Sequence, residues 1–220
     1  MKVCTDACLF GAWVAEKVQS GKYGPQSILD IGAGTGLLSL MLAEVNKAMI
    51  DAVELDEPAA EQAAENFEGS PWHERLQVIR GDARTVHLGR KYDFIISNPP
   101  FFENDLKSGN TGRNLALHSE ELNLKELLSV IQKYLSGDGK FALLQPYHRK
   151  NECIKMAMEA EFYLVEEVAV KQTPAHSFFR VMLLFGTEKA AVVSSEISIR
   201  DGDTYTNAFT ALLKDYYLKL

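Results

Sequence analysis

Five short apolar runs, each followed by a turn and most by a stretch of helical spacing, constrain this chain's fold more than any other feature. The runs span 27–31, 48–55, 76–80, 93–97 and 140–144. The first leads into a predicted helix over 36–44, where Leu37, Leu38, Leu40, Met41 and Leu42 form a broad apolar face. The second leads into a helix over 58–67, opened by Asp56-Glu57-Pro58 with proline in the tolerated first turn. A helix over 124–135, closed by Ser136-Gly137-Asp138-Gly139, precedes the fifth run, and another is expected over 151–160. The remainder changes character. Residues 163–171 alternate like a strand and 180–186 form another, so the two, joined through 172–179, suit an antiparallel hairpin. The pattern predicts an α/β fold: a doubly wound, mostly parallel seven-stranded sheet with an antiparallel C-terminal hairpin. No linker or repeat interrupts it, so residues 1–220 read as a single domain. Ligands of such sheets bind beyond the carboxyl ends of the strands.

Composition narrows the setting. Hydrophobic residues at 46% and charged ones at 24% are ordinary globular values. No apolar run approaches the roughly 20 residues that span a bilayer, and the first residues lack the basic-then-apolar layout of a signal peptide. Cys4, Cys8 and Cys153 are scattered with no C-x-x-C, which favours reduced thiols in a cytoplasmic setting over disulfides or a metal site. A monomer without metal or membrane attachment is expected. The net charge of −7 suits a nucleic-acid partner poorly, but His148-Arg149-Lys150 and Lys155 make a local basic cluster.

The informative residues fall where the runs end. Asp30-Ile31-Gly32-Ala33-Gly34-Thr35-Gly36 joins the first strand to its helix, and Gly32, Gly34 and Gly36 permit a tight turn and close approach of backbone to ligand. This G-x-G-x-G spacing, with an acid ahead of it, is more typical of S-adenosylmethionine (SAM) sites than of dinucleotide folds. Asp30 then suits the ammonium of the methionine portion. Glu54, ending the second run, suits the ribose hydroxyls, the role of an acid about 20 residues after a nucleotide-binding turn. Its competitor Asp56 is better placed to cap the next helix. Asp82 follows the third run; its side chain suits the cofactor's adenine amine, and the Ala83 amide a ring nitrogen. A Gly-Asp pair is also ordinary turn chemistry.

The fourth run ends in Asn98-Pro99-Pro100-Phe101. An amide, two rigid imino acids and an aromatic ring make a poor structural plug. They make a good slot for a flat base bearing an exocyclic amine: Phe101 stacks on the base, while Asn98 Oδ1 and the Pro99 carbonyl accept the amine's hydrogens. Stacking of this kind contributes about 1–3 kcal/mol. Taken in sequence, the four strand ends carry sites for ammonium, ribose, adenine and target amine, and are expected to line one edge of the sheet in that order.

With these motifs the chain resembles the class I (Rossmann-like) SAM-dependent methyltransferases, and among them the amino-methylating enzymes with an [ND]-P-P-[FYW] motif. The opening run from Met1 to Trp13, the run Asn98-Pro99-Pro100-Phe101-Phe102 and the ending from Phe209 to Tyr217 are similar to the tRNA1(Val) (adenine-37-N6)-methyltransferase family. Members usually carry an extension before the Met-Lys-Val segment, and the glycine often found after Lys-Val is Cys4 here. The resemblance implies SAM as cofactor, with Thr5 among its contacts, and the anticodon loop of a tRNA as partner. Substrate contacts are expected from Phe102, Arg113 and Arg149, the two arginines to phosphate, while His118 either lines the pocket or caps a helix. Three other readings share the tetrad or the fold: a protein glutamine-N5 methyltransferase, an rRNA guanine-N2 methyltransferase, and a SAM-binding scaffold without catalysis.

Overall fold

The computed structural model describes residues 4–19, 23–99 and 122–217. Its first element, helix α1 (Thr5–Gln19), is buried almost continuously from Ala7 to Ala15. A helix enclosed on nearly every side reads as an apolar run without a 3.6-residue stripe, which hides it from periodicity. The alternation then proceeds as β1 (Ser27–Ile31), α2 (Leu37–Val45), β2 (Met49–Glu54), α3 (Glu57–Glu68), β3 (Leu76–Arg80) and β4 (Tyr92–Ser97). After residue 122 come α4 (Leu124–Tyr134), β5 (Leu135–Pro146), α5 (Lys150–Glu159), β6 (Tyr163–Lys171), β7 (Phe178–Gly186) and β8 (Val193–Ser198). A small antiparallel pair, β9 (Arg200–Asp201) and β10 (Thr204–Tyr205), leads to the last described helix, α6 (Asn207–Leu213).

The sheet has the order β3-β2-β1-β4-β5-β7-β6-β8. Only β7 runs against its neighbours, pairing antiparallel with β5 and β6 as the alternating C-terminal segments predict. The strands number eight rather than the expected seven. The added strand, β8, lies at the edge parallel to β6, and Val193-Ser194-Ser195-Glu196 is exposed. An edge strand with Ile197 as its one buried side chain and Val193 exposed carries little alternation to read. A second difference is the start of β5: the Ser136–Gly139 turn expected after α4 is pulled into the strand, with the register to β4 shifting between Tyr92 and Phe94.

Two cores sandwich the sheet. On one face α1, α2, α6 and Phe67 of α3 pack around Ile28, Phe94 and Met182; on the other α4 and α5 pack around Leu29, Ile95 and Leu183. Strand periodicity therefore sends Asp30 toward α2, and Leu29 and Ile31 toward α4. Among the described residues no helix is long and apolar enough to cross a membrane.

The strand order reverses between β1 and β4, which pair in parallel with Asp30 beside Ile96. The ends of these two strands flank the topological switch point, where open α/β sheets bind ligands.

Candidate active site

Three backbone positions in the turn after β1 demand glycine. Gly32, Gly34 and Gly36 have φ of +72, +57 and +82°, in the left-handed region. At Gly36 a Cβ would also lie 2.4 Å from the Phe67 ring, so this glycine lets the turn close onto α3. At Gly32 nothing lies within 4 Å of where a Cβ would be, and the backbone faces open space.

Asp30 is fully buried, with Oδ2 accepting from Ser39 Oγ at 2.7 Å in the first turn of α2. Its other oxygen, Oδ1, is buried without a partner among the described residues. Burial pushes its pKa up to about 7; hydrogen bonds from Ser39 work against the shift and the charge of Glu54 adds to it. Glu54 Oε2 accepts from the Gly34 amide at 2.7 Å and Oε1 from the Asp56 amide at 2.8 Å. That brings the acid of β2 against the glycine turn with lone pairs to spare. Asp56, its competitor, caps α3 by accepting from the Ala59 amide at 3.0 Å. Leu55 between them is 50% exposed, an aliphatic side chain at the strand end that the motifs passed over.

Beyond β3, the Asp82 carboxylate is held by Arg84, which lowers its pKa chiefly through side-chain hydrogen bonds. The Ala83 amide makes no hydrogen bond among the described residues. Beyond β4, Ser97 is buried and donates its hydroxyl to the Ile31 carbonyl at 2.8 Å. This clamp joins the end of the target strand to the glycine turn. Sequence reasoning missed it; a lone serine closing the run Phe94-Ile95-Ile96 was the available signal. Asn98 follows directly, its Oδ1 buried with no hydrogen-bond partner among the described residues, and Pro99 is buried beside it.

The spatial order of these ends corrects the expected one. Across the sheet they run Asp82, Glu54, glycine turn, Asn98, because β4 pairs with β1 and not with β3. Asn98 thus adjoins the glycine turn rather than the Asp82 end.

Pro100, Phe101, Phe102, Arg113 and His118 lie outside the described residues. Thr5 opens α1 and is exposed; the next residue, Asp6, pairs with Arg180 Nε at 2.9 Å, at the β5–β7 end of the carboxyl edge. Arg149 follows β5 on the same edge and pairs with Glu152 at 2.9 Å. Neither is joined to the glycine turn by any described contact. Among the described residues no group of three or more His, Cys, Asp or Glu could hold a metal ion.

Comparison with known proteins fits this geometry. Residues 15–173 match the family model described as Methyltransferase small domain. A protein of Dyadobacter fermentans named tRNA1(Val) (adenine(37)-N6)-methyltransferase is 40% identical over 100% of this chain and 91% of its own length. One of the same name from Flavobacterium psychrophilum is 38% identical over 100% of this chain and 94% of its own. The chain belongs to the tRNA1(Val) (adenine(37)-N6)-methyltransferase family. Solved structures share the fold at lower identity. A "predicted O-methyltransferase" of Agrobacterium tumefaciens superposes with a TM-score of 0.72 at 17% identity, covering 94% of this chain and 95% of its own. The glycopeptide N-methyltransferase MtfA complexed with SAM gives 0.58 at 12% identity, over 81% and 94%. The family's cofactor fits the residues present: an unpartnered carboxylate oxygen at Asp30, open backbone at Gly32 and a spare amide at Ala83 are the groups an aminoacyl nucleoside needs.

Proposed function

We infer that this protein transfers the methyl group of SAM to N6 of an adenine in RNA, adenine 37 of a tRNA1(Val)-type anticodon loop. The observation that carries the reading is the buried, unpartnered Oδ1 of Asn98 beside the glycine turn. A buried acceptor without a donor costs about 1–3 kcal/mol, a cost recovered when a substrate N–H fills the site.

In this reading Asp30 receives the cofactor's ammonium, Gly32, Gly34 and Gly36 bring the backbone against the methionine portion, and Glu54 takes the ribose hydroxyls. Asp82 and the Ala83 amide read the cofactor's adenine. The bound cofactor supplies an electrophilic methyl group on a sulfonium. The protein's own task is the nucleophile, because the N6 lone pair of adenine is delocalised into the ring. Asn98 Oδ1 and the Pro99 carbonyl accept the two N6–H groups, favouring a pyramidal nitrogen and stabilising the charge that develops on it. Phe101 stacks on the target base. Ser97, tied to Ile31, keeps the slot in register with the turn, and such alignment supplies much of the acceleration. The methylated nitrogen loses its proton to water, so no histidine or cysteine base is required. Extruding a base from an anticodon loop is cheaper than from a duplex, which fits a single-stranded target.

Incubation with methyl-labelled SAM and either total tRNA or total protein, followed by nucleoside and amino-acid analysis, tests the assignment. Label in N6-methyladenosine of the tRNA fraction is expected. Label in methylglutamine or N2-methylguanosine instead would replace the substrate while keeping the slot.

A further inference from the structure

Arg84 belongs to none of the motifs, yet it is the most heavily engaged side chain near the cofactor residues. Gly81, with φ of +157°, turns the chain out of β3, and the amides of Thr85 and Val86 both donate to the Asp82 carbonyl, at 3.0 and 2.8 Å. The turn folds Arg84 back over Asp82. The Arg84 amide and Nε both donate to Oδ1 at 2.9 Å, and Nη2 donates to Oδ2 at 2.6 Å, with Nε also 2.9 Å from Oδ2. On its far side Arg84 Nη1 lies 3.4 Å from both carboxylate oxygens of Glu126. Glu126 is fixed in turn by the capping box of α4: its amide donates to Asn123 Oδ1, and its Oε2 accepts from the Asn123 amide, each at 3.0 Å.

We propose that Arg84 is a positioning residue for the cofactor's adenine, holding the Asp82 carboxylate in the one orientation that presents a free lone pair to the exocyclic amine. The proposal rests on the assignment of Asp82 given above. An ionised carboxylate offers about four acceptor sites. Three N–H groups of Arg84, its amide, Nε and Nη2, meet these four sites, with Nε shared between the two oxygens, which leaves capacity for one further donor. One acceptor at Asp82 and one donor at the Ala83 amide match an adenine edge, which presents one amine hydrogen beside one ring nitrogen. Hydrogen bonds from Arg84 also hold the Asp82 carboxyl below the usual carboxylate range. The Asp82 and Arg84 side chains are 26% and 27% exposed, and their bidentate, networked pair supports the turn and also preorganises the carboxylate. A carboxylate whose rotamer is already fixed loses less conformational freedom when the cofactor binds.

The test measures binding of S-adenosylhomocysteine by titration calorimetry to wild type, Arg84→Ala, Arg84→Gln, Asp82→Asn and the Asp82→Asn/Arg84→Gln double variant. Arg84→Gln keeps part of the stem and guards against a folding defect, which circular dichroism checks. Both Arg84 variants are expected to raise Kd about two- to tenfold, the size of fixing one rotamer-rich side chain. In turnover the loss appears in KM for the cofactor and not in kcat. On the Asp82→Asn background the Arg84 change adds nothing further. Wild-type affinity in both Arg84 variants, with Asp82→Asn weakened, would overturn the role of Arg84 alone. An equal Arg84 effect with and without Asp82→Asn would do the same. Wild-type affinity in Asp82→Asn would remove the assignment of Asp82, and this proposal with it.

Discussion

The carboxyl edge of the sheet has two halves that differ in whether their buried acceptors are satisfied. Along β5 to β8 the cations are matched: Arg149 with Glu152, Lys150 with Glu167, Lys171 with Glu196 and Arg180 with Asp6. Along β3 to β4, two acceptors are buried with no partner among the described residues, Asp30 Oδ1 and Asn98 Oδ1, and they stand at the ends of adjacent strands. Unsatisfied buried acceptors destabilise a fold, whereas surface ion pairs are nearly neutral. The half along β3 to β4 therefore bears the mark of binding and chemistry, and the half along β5 to β8 reads as structure despite its charge.

The largest test of that contrast is Asn98→Ala. Loss of a transition-state acceptor should lower kcat for tRNA methylation about 10²- to 10³-fold, while the melting temperature holds or rises because an unsatisfied acceptor has been removed. Single-turnover transfer of labelled methyl, read beside calorimetry, measures both. A retained rate would break the contrast at its centre.

Asp30→Asn comes next. The folded-state pKa of Asp30 is about 7, raised from the usual 3.8 by burial. Between those values the folded protein keeps a proton that the unfolded chain has released, so the stability this group contributes declines as pH rises through the window and levels off above about 7. The variant should lack that decline and gain relative stability at pH 8 over pH 5, by up to a few kcal/mol. Urea unfolding at the two pH values reads it. The same substitution should weaken cofactor binding, since the ammonium is matched by the ionised acid. Wild-type affinity for S-adenosylhomocysteine should fall as pH drops below about 7, and the variant's should change less.

The smallest effect is expected at Lys171→Ala, which opens the Lys171–Glu196 pair between β6 and β8. Stability should drop by less than about 1 kcal/mol, with cofactor affinity unchanged. A fall in tRNA affinity at wild-type stability would sharpen the comparison by extending the site across β6.

Much of this architecture was legible because it is local. Apolar runs of strand length, helical spacing between them and glycines at sharp turns are short-range signals, and β1 to β7 and α2 to α5 lie where those signals place them, give or take a residue or two at most ends. β3 and β6 have the expected bounds. What stayed hidden depends on surroundings. The burial of α1 erased its periodicity, and the edge position of β8 left it mostly exposed. Ser97 and Arg84 take their importance from partners at Ile31 and Glu126, far along the chain.

The chain's residues by themselves determined the parts: a glycine turn with an acid before it, acids after β2 and β3, and an amide with two prolines after β4. Their arrangement was decided by the sheet. Sequence order places the Asn98 slot next after Asp82, but the crossover carries β4 past β2 and β3 to pair with β1. Strand pairing is a long-range choice, set by which apolar faces pack together, and no local pattern encodes it. That choice sets Asn98 beside the glycine turn.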